Sequence, residues 1–327
     1  MNNSLFTRIN RRLKTTAANY SADMQFSKKL ANYRMLDELC WRLSLTKISS
    51  VYHNKKDEWI LSYLKAKLDY VIDKYKADKF IGEENAVSPI WVCWWSGEED
   101  APAIAKQCIK SIYKNAGTHP VHIITEKNYM EYLDIPDYIL KKVNSGAMCI
   151  ANFTDYLRVS LLAKYGGLWL DATIFCSSTI PNEYFTNSFF TCKSEPIESR
   201  YLSKFRWTGF CLGGWKQHVF FRFLKEAFEC YWVSEEVSID YLLMDYLFET
   251  AYRHLPVVKK CMDDVVPNNL SRDDLQAAMN MALPASSWED VIKNDTVLYK
   301  LSWRETYSLK TEKGEQSIFD YYLNMPI

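Results

Sequence analysis

Asn152-Phe-Thr-Asp-Tyr-Leu-Arg-Val-Ser-Leu-Leu-Ala-Lys-Tyr-Gly-Gly-Leu-Trp-Leu-Asp-Ala-Thr-Ile-Phe175 reads as a helix, a double-glycine stop and a short buried strand ending in a carboxylate. Asn152 or Thr154 is expected to cap the start, since either side chain accepts from orphan backbone N–H groups. Leu157, Leu161 and Leu162 keep an apolar stripe at helical spacing. Gly166-Gly167 supplies the stop, because glycine tolerates the left-handed conformation past a helix end. Leu168-Trp169-Leu170 enters the strand. Asp155, Arg158 and Asp171 interrupt this apolar unit. The first two lie three apart and share a helix face. Asp171 sits where the strand gives out, the usual place for ligand contacts in an open α/β sheet.

Working upstream, Pro89-Ile-Trp-Val-Cys-Trp-Trp95 reads as a fully buried strand. Pro102 opens a helix carrying Ile104, Cys108, Ile109 and Ile112, and Asn115-Ala-Gly117 ends it. Val121-His-Ile-Ile124 is the next strand, parallel to the first by the handedness of such crossovers. More helix follows from Tyr129 to Val143 around Pro136. The pattern therefore predicts an α/β fold, an open sheet flanked by helices. Residues 1–85 form a helical N-terminal region: a basic arm over residues 1–20, then helix from Phe26 to Ala77 with a break at His53–Asp57. Its stripes are Leu36, Leu39, Cys40 and Leu43, then Trp59, Ile60, Tyr63, Leu64, Leu68, Val71 and Ile72. Lys79 to Ser88 is a polar connection. Downstream, Phe189–Cys192 and Trp207–Gly214 read as strands, His218–Trp232 and Ile239–Tyr252 as amphipathic helices, and Val297–Trp303 as a short apolar piece.

The chain has 327 residues, 48% apolar, with 40 residues of each charge sign and no net charge. No basic footprint for nucleic acid stands out. Nine cysteines, an odd number without a C-x-x-C pair, sit singly in apolar runs such as Cys93, Cys149, Cys176 and Cys211. That pattern fits reduced thiols in a cytoplasmic protein. No stretch approaches the roughly 20 apolar residues of a membrane span. A basic amphipathic N-terminal region leaves peripheral contact with a membrane or a partner enzyme open.

Several chemistries are set aside. There is no G-x-x-x-x-G-K-S/T and no G-x-G-x-x-G loop, and no serine nucleophile elbow. His119 and His122 flank Pro120 at a strand start, a poor arrangement for a shared metal. What remains is Asp155, Arg158 and Asp171, with Trp94-Trp95 at the end of a neighbouring strand. Arg158 offers a planar fork to phosphate or carboxylate. Asp171 suits sugar or ribose hydroxyls, or a metal.

Thr154-Asp-Tyr-Leu-Arg158 with Tyr165-Gly-Gly-Leu-Trp-Leu-Asp-Ala-Thr173 resembles the S/T-D-x-x-R … G-G-x-x-x-D-x-D core of sugar-nucleotide glycosyltransferases of the GT-A fold with a DXD-type sugar-binding region. That group includes yeast-type initiating mannosyltransferases and, more distantly, the glucosylating domains of clostridial toxins. The nearer similarity is to bacterial capsular polysaccharide synthesis proteins, which have counterparts of Ile90–Glu98, Trp207–Gly214, Asp240–Asp245 and Lys300–Trp303. The resemblance covers roughly residues 85 to 305, within an expected glycosyltransferase domain at 86–327.

The resemblance implies transfer of a sugar from a nucleotide-sugar donor to a polysaccharide or lipid-linked oligosaccharide, with retention of anomeric configuration. Asp155, Arg158 and Asp171 would hold the donor and act in catalysis with Asp245. Trp94, Trp95, Thr173 and Trp303 would complete the donor site, and Trp207 and Asp240 would meet the acceptor. Asp240 is equally readable as a helix cap, and Trp303 and Trp207 as core residues. A divalent cation, Mn2+ or Mg2+, would sit at Asp171, but Thr173 replaces the second Asp of D-x-D. Two rivals stay open: a sugar-nucleotide or glycan-binding module without catalysis, and a nucleotidyl- or phosphosugar-transferase.

Overall fold

The computed structural model describes residues 19–284, 288–293 and 295–325. The basic arm expected over residues 1–20 lies outside them except for Asn19 and Tyr20. Helix at residues 19–26 is followed by α1 (Lys28–Arg42), α2 (Thr46–Lys67) and α3 (Asp69–Lys76). Strand β1 (Ile90–Cys93), helix α4 (Ala103–Asn115) and strand β2 (Val121–Ile124) follow. Helix α5 (Asp137–Asn144) leads to α6 (Ile150–Tyr165) and strand β3 (Gly167–Leu170). Then come β4 (Ile174–Cys176), β5 (Phe189–Thr191), β6 (Cys211–Gly214), α7 (Val219–Ser234), α8 (Leu243–His254), α9 (Pro256–Asp264), β7 (Leu298–Lys300) and α10 (Ile318–Asn324).

The main sheet has the order β2-β1-β3-β6-β5. β1 runs parallel to β2, Ile90 facing Val121, and parallel to β3, Ile90 facing Leu168. β6 is antiparallel to both β3 and β5. The α/β class and the parallel crossover read from the sequence are both present. β4 and β7 form a separate antiparallel pair in which Ile174 faces Lys300.

Strand side chains alternate between faces, so β1 and β3 serve two cores. Trp91 and Trp169 enter one with Leu157 and Leu161 of α6 and Phe220 and Leu224 of α7. Ile90, Val92, Leu168 and Leu170 enter the other with Ile109 and Ile112 of α4. Ile60, Leu64, Leu68 and Val71 of the N-terminal helices join the first core. Helix α6 ends at Gly166, with φ +66°. Gly167 follows with φ +94°, and a Cβ there would stand 2.2 Å from the Pro89 carbonyl oxygen. The glycine pair thus allows the chain to turn directly from helix into strand against β1.

Several local expectations are corrected. α6 begins at Ile150, so Asn152 and Thr154 lie inside it rather than capping it. The Asn152 amide instead donates to the Tyr241 carbonyl at 3.2 Å. α2 runs straight through His53–Asp57, and the break falls at Leu43–Leu45. His53 and Asp57 are held in place by polar contacts: His53 Nδ1 meets the Asp37 carboxylate at 2.9 Å, and Lys56 pairs with Asp57 at 3.0 Å. The first apolar stripe is not the buried one, since Leu43 is 61% exposed while Asp37 is buried. The strand expected at Trp207–Gly214 occupies only its last four residues. α8 starts at Leu243, because Asp240 accepts the Leu242 N–H at 2.9 Å and forms an Asx turn ahead of the helix.

Candidate active site

β1 and β3 end at the same edge of the sheet, and a cleft of about 600 Å³ opens there. Trp94 follows β1, Asp155 and Arg158 project from α6, and Asp171 and Thr173 follow β3. The first turn of α8 contributes Asp245, and the wall opposite is Lys300–Arg304.

Arg158 is the centre of the arrangement and is 7% exposed. One turn of helix brings its Nη1 within 3.2 Å of Asp155 Oδ1. Its Nη2 lies 3.3 Å from Asp171 Oδ1, and its guanidinium lies 4.7 Å from the Trp169 ring. Trp169 Nε1 also donates to Asp171 Oδ1, at 3.0 Å. A helix residue, a strand residue and a strand-end residue are thereby locked together. The other oxygen of Asp171 faces Lys300 Nζ at 3.6 Å. Lys300 donates to the hydroxyl of buried Thr173 and to the Leu301 carbonyl.

Burial pushes the Asp155 carboxyl up to about 7. Arg158 pulls it down, Asp245 and Asp171 push it up, and a hydrogen bond from Asn152 lowers it. Asp245 is raised as well, mainly by burial, although Trp207 Nε1 donates to its Oδ1 at 3.0 Å. Two carboxyls with raised pKa lining one cleft with a buried guanidinium are a mark of a site rather than of a solvated surface. Carboxylates, a planar fork and indole faces together suit a polyhydroxylated ligand. Lys300 and Arg304 add positive charge for an anion.

Seven of the residues singled out in the sequence line this one cleft: Trp94, Asp155, Arg158, Asp171, Thr173, Asp245 and Trp303. Trp94 and Trp303 meet edge to face with centroids 5.9 Å apart, and Trp303 is 45% exposed. Three others are elsewhere. Trp95 packs on Tyr129 and Phe153, at 5.5 and 5.6 Å, so it belongs to the core. Trp207 is 1% exposed and sandwiched with Arg206 and Phe248, leaving no face for an acceptor sugar. Asp240 pairs with Arg34 of α1 at 3.1 Å and lies 4.0 Å from Lys56 of α2. Lys300 and Arg304 are charged cleft residues that sequence reasoning did not assign. The signal for Lys300 was present in Lys300-Leu-Ser-Trp303, a charged residue ending a short apolar run.

A divalent cation fits poorly here. Among the described residues no three His, Cys, Asp or Glu side chains come together as an ion-binding group. Thr173 is neutral and already accepts from Lys300. A cation about 4 Å from the ammonium would meet roughly 4 kcal/mol of repulsion per pair of unit charges at an effective dielectric near 20.

The chain matches the family described as capsular polysaccharide synthesis protein over residues 42–322. It belongs to that family. The match takes in the N-terminal helices from the end of α1 as well as the sheet and the cleft of this capsular polysaccharide synthesis family member. No curated protein matches it. Among solved structures it is similar to the PaToxG glycosyltransferase at 12% identity, over 65% of this chain and 83% of that one, with a TM-score of 0.39.

Proposed function

We propose that this protein is a glycosyltransferase that moves a sugar from a nucleotide-sugar donor to a hydroxyl of a surface polysaccharide or lipid-linked oligosaccharide, with retention of anomeric configuration. The observation that carries this reading is the Asp155–Arg158–Asp171 cluster at the ends of parallel β1 and β3. In open α/β sheets, ligands bind at such strand ends. Asp171 and Asp155 accept hydrogen bonds from sugar hydroxyls, and Arg158 fixes their orientation. Trp94 and Trp303 flank the base, where an aromatic face contributes on the order of 1–3 kcal/mol. The bond from the anomeric carbon to the diphosphate breaks, its electron pair leaves with the diphosphate, and the acceptor oxygen bonds the anomeric carbon. The acceptor hydroxyl's proton departs with the leaving diphosphate. Positioning and electrostatic stabilisation of that leaving group are the protein's main contribution.

The test is turnover of UDP- and GDP-sugars, with and without Mn2+, in the presence of membrane-extracted glycan acceptors. Nucleotide release by the wild type that is abolished by Asp171→Asn supports the proposal. Retained donor binding with no turnover of any donor would favour a sugar-nucleotide-binding module.

We further propose that the protein works at the inner face of the membrane, held there by the α1–α2 hairpin. Leu36 and Leu39 of α1, Leu43 just past its end, and Ile48 and Val51 of α2 form an apolar set, and all but Leu36 are about half exposed. Lys29 and Lys55 lie on the same two helices, each near the Tyr33 ring, and Tyr33 meets Tyr52 at 6.5 Å across the hairpin. Apolar side chains edged by lysine and tyrosine suit an anionic lipid surface. No helix among the described residues is long and apolar enough to cross a membrane. Co-sedimentation with phosphatidylglycerol vesicles, lost in Leu39→Asp/Ile48→Asp and absent with phosphatidylcholine, is the expected result. Equal recovery of wild type and variant would refute it.

A further inference from the structure

We infer that Lys300 takes the place of the divalent cation, so that the protein binds the diphosphate of its donor through an ammonium group and without a metal. The inference rests on the transferase reading and assigns the chemistry at one end of that site.

Lys300 ends β7 opposite Ile174 of β4. The Leu301 N–H donates to the Thr173 carbonyl at 2.9 Å, and the Lys300 N–H to the Arg272 carbonyl at 2.8 Å. The residue is thus fixed on both sides by strand-type hydrogen bonds, and sheet register rather than a free loop delivers its side chain to the cleft. The ammonium then sits between the strand-end carboxylate of Asp171, at 3.6 Å, and the hydroxyl of Thr173.

Next comes charge. A threonine stands where a second carboxylate would recruit a cation, and a lysine has its positive charge at that point already. With Thr173 neutral, the single strand-end carboxylate of Asp171 lies between two cations, Arg158 on one oxygen and Lys300 on the other, which leaves positive charge over for an anion. The Lys300 side chain is 27% exposed, so part of its hydrogen-bonding surface remains open to the cleft. Arg304 lines the same wall, its guanidinium 5.3 Å from the Trp303 ring. Two cations on one wall, beside the Trp94–Trp303 pair of indoles that suits a base, are complementary to a nucleoside diphosphate. When the glycosidic bond to the donor breaks, the added negative charge falls on a phosphate oxygen within reach of Lys300. No proton transfer or oxidant is required of the lysine, and it stays an ammonium throughout.

A lysine that only anchors Asp171 would leave nucleotide affinity nearly unchanged on replacement, which separates the two roles. The experiment is isothermal titration of UDP and GDP into the full chain, once in EDTA and once in Mn2+. The expected result is one nucleotide bound with the same affinity, within about twofold, in both buffers. Lys300→Met should weaken it by about tenfold or more, the size of a lost charged hydrogen bond, and Lys300→Arg should recover most of it. Thr173→Asp/Lys300→Ser, which restores a second carboxylate and removes the ammonium, should bind the nucleotide only with Mn2+. Thermal unfolding of each variant guards against misfolding, and recovery in Lys300→Arg keeps the result readable if Lys300→Met is unstable. Nucleotide binding by the wild type that depends on Mn2+, or unchanged affinity in folded Lys300→Met, would overturn the inference and leave the transferase reading intact. Failure of both nucleotides to bind in either buffer would overturn both.

Discussion

Replacing Arg158 by methionine keeps most of its volume and removes its charge, which isolates the guanidinium's part in the site. Two carboxylates lose their partner, at 3.2 Å for Asp155 and 3.3 Å for Asp171. Breaking a buried ion pair from one side costs about 3–5 kcal/mol, because the other charge stays behind unpaired. Asp171 is 29% exposed on its side chain and keeps Lys300 nearby, so most of the loss falls on Asp155. Asp155 can instead take up a proton, at about 1.4 kcal/mol per pH unit above its value of about 7, so the charge-dependent part of the loss is held to about 1–2 kcal/mol near pH 8. Against a domain stability of about 5–15 kcal/mol, the change is large but leaves a folded protein. The sign of the pH dependence follows from protonation. Burial has already brought Asp155 up to about 7, and without Arg158 it rises further. At about pH 5.5 the carboxyl is protonated with or without the arginine, so the penalty shrinks as pH falls. Urea unfolding followed by tryptophan fluorescence at both pH values measures this directly. A loss below about 1 kcal/mol at pH 8, or one that grows towards acid, would refute the reasoning.

Three further outcomes are expected. Between about pH 4 and 7 folded Asp155 holds its proton more tightly than the unfolded chain does, so its contribution to stability falls as pH rises; Asp155→Asn should flatten that part of the stability–pH curve, and an unchanged slope in urea titrations would contradict the assignment. Trp207→Phe removes the N–H held by Asp245 and should cost about 1–3 kcal/mol of unfolding free energy, with nucleotide affinity unaltered by calorimetry. Trp303→Ala should do the reverse: stability within about 0.5 kcal/mol of wild type, since the ring is half exposed, and nucleotide affinity lower by about tenfold or more.

The elements legible in the sequence are those whose environment is local. β1, β2 and β3 are apolar runs bounded by proline and glycine, and α6 is apolar on nearly every side, so pattern alone identified them. Asp155 and Arg158 were readable as a pair because helix geometry fixes their separation. The misplaced break in the N-terminal helices has a non-local cause. His53 and Asp57 looked like a solvated turn, yet they are held inside by groups such as Asp37 and, through a contact to the Asp37 carboxylate, Arg200. The tryptophans divide for the same reason. Trp94 and Trp95 are adjacent in sequence and face opposite ways, one to the cleft and one to the Phe153 core. Trp207 was offered to an acceptor because nothing nearby in the chain reveals that Asp245 takes its N–H. Lys300 reaches the site only because β7 pairs with β4, and no short-range spacing announces that pairing.

That last pairing has a consequence for how the protein comes into being. Lys300 and Thr173 are separated by 127 residues, and the β4–β7 pair that joins them is among the last to form as the chain leaves the ribosome. Until then Asp171 has Arg158 and Trp169 beside it but lacks the ammonium on its other oxygen. A nascent or truncated chain can hold all five strands of the main sheet and still lack the ammonium of the donor site. Ligand capture thus reports on completion of synthesis, and fragments ending before residue 298 would not compete with intact protein for the nucleotide-sugar pool.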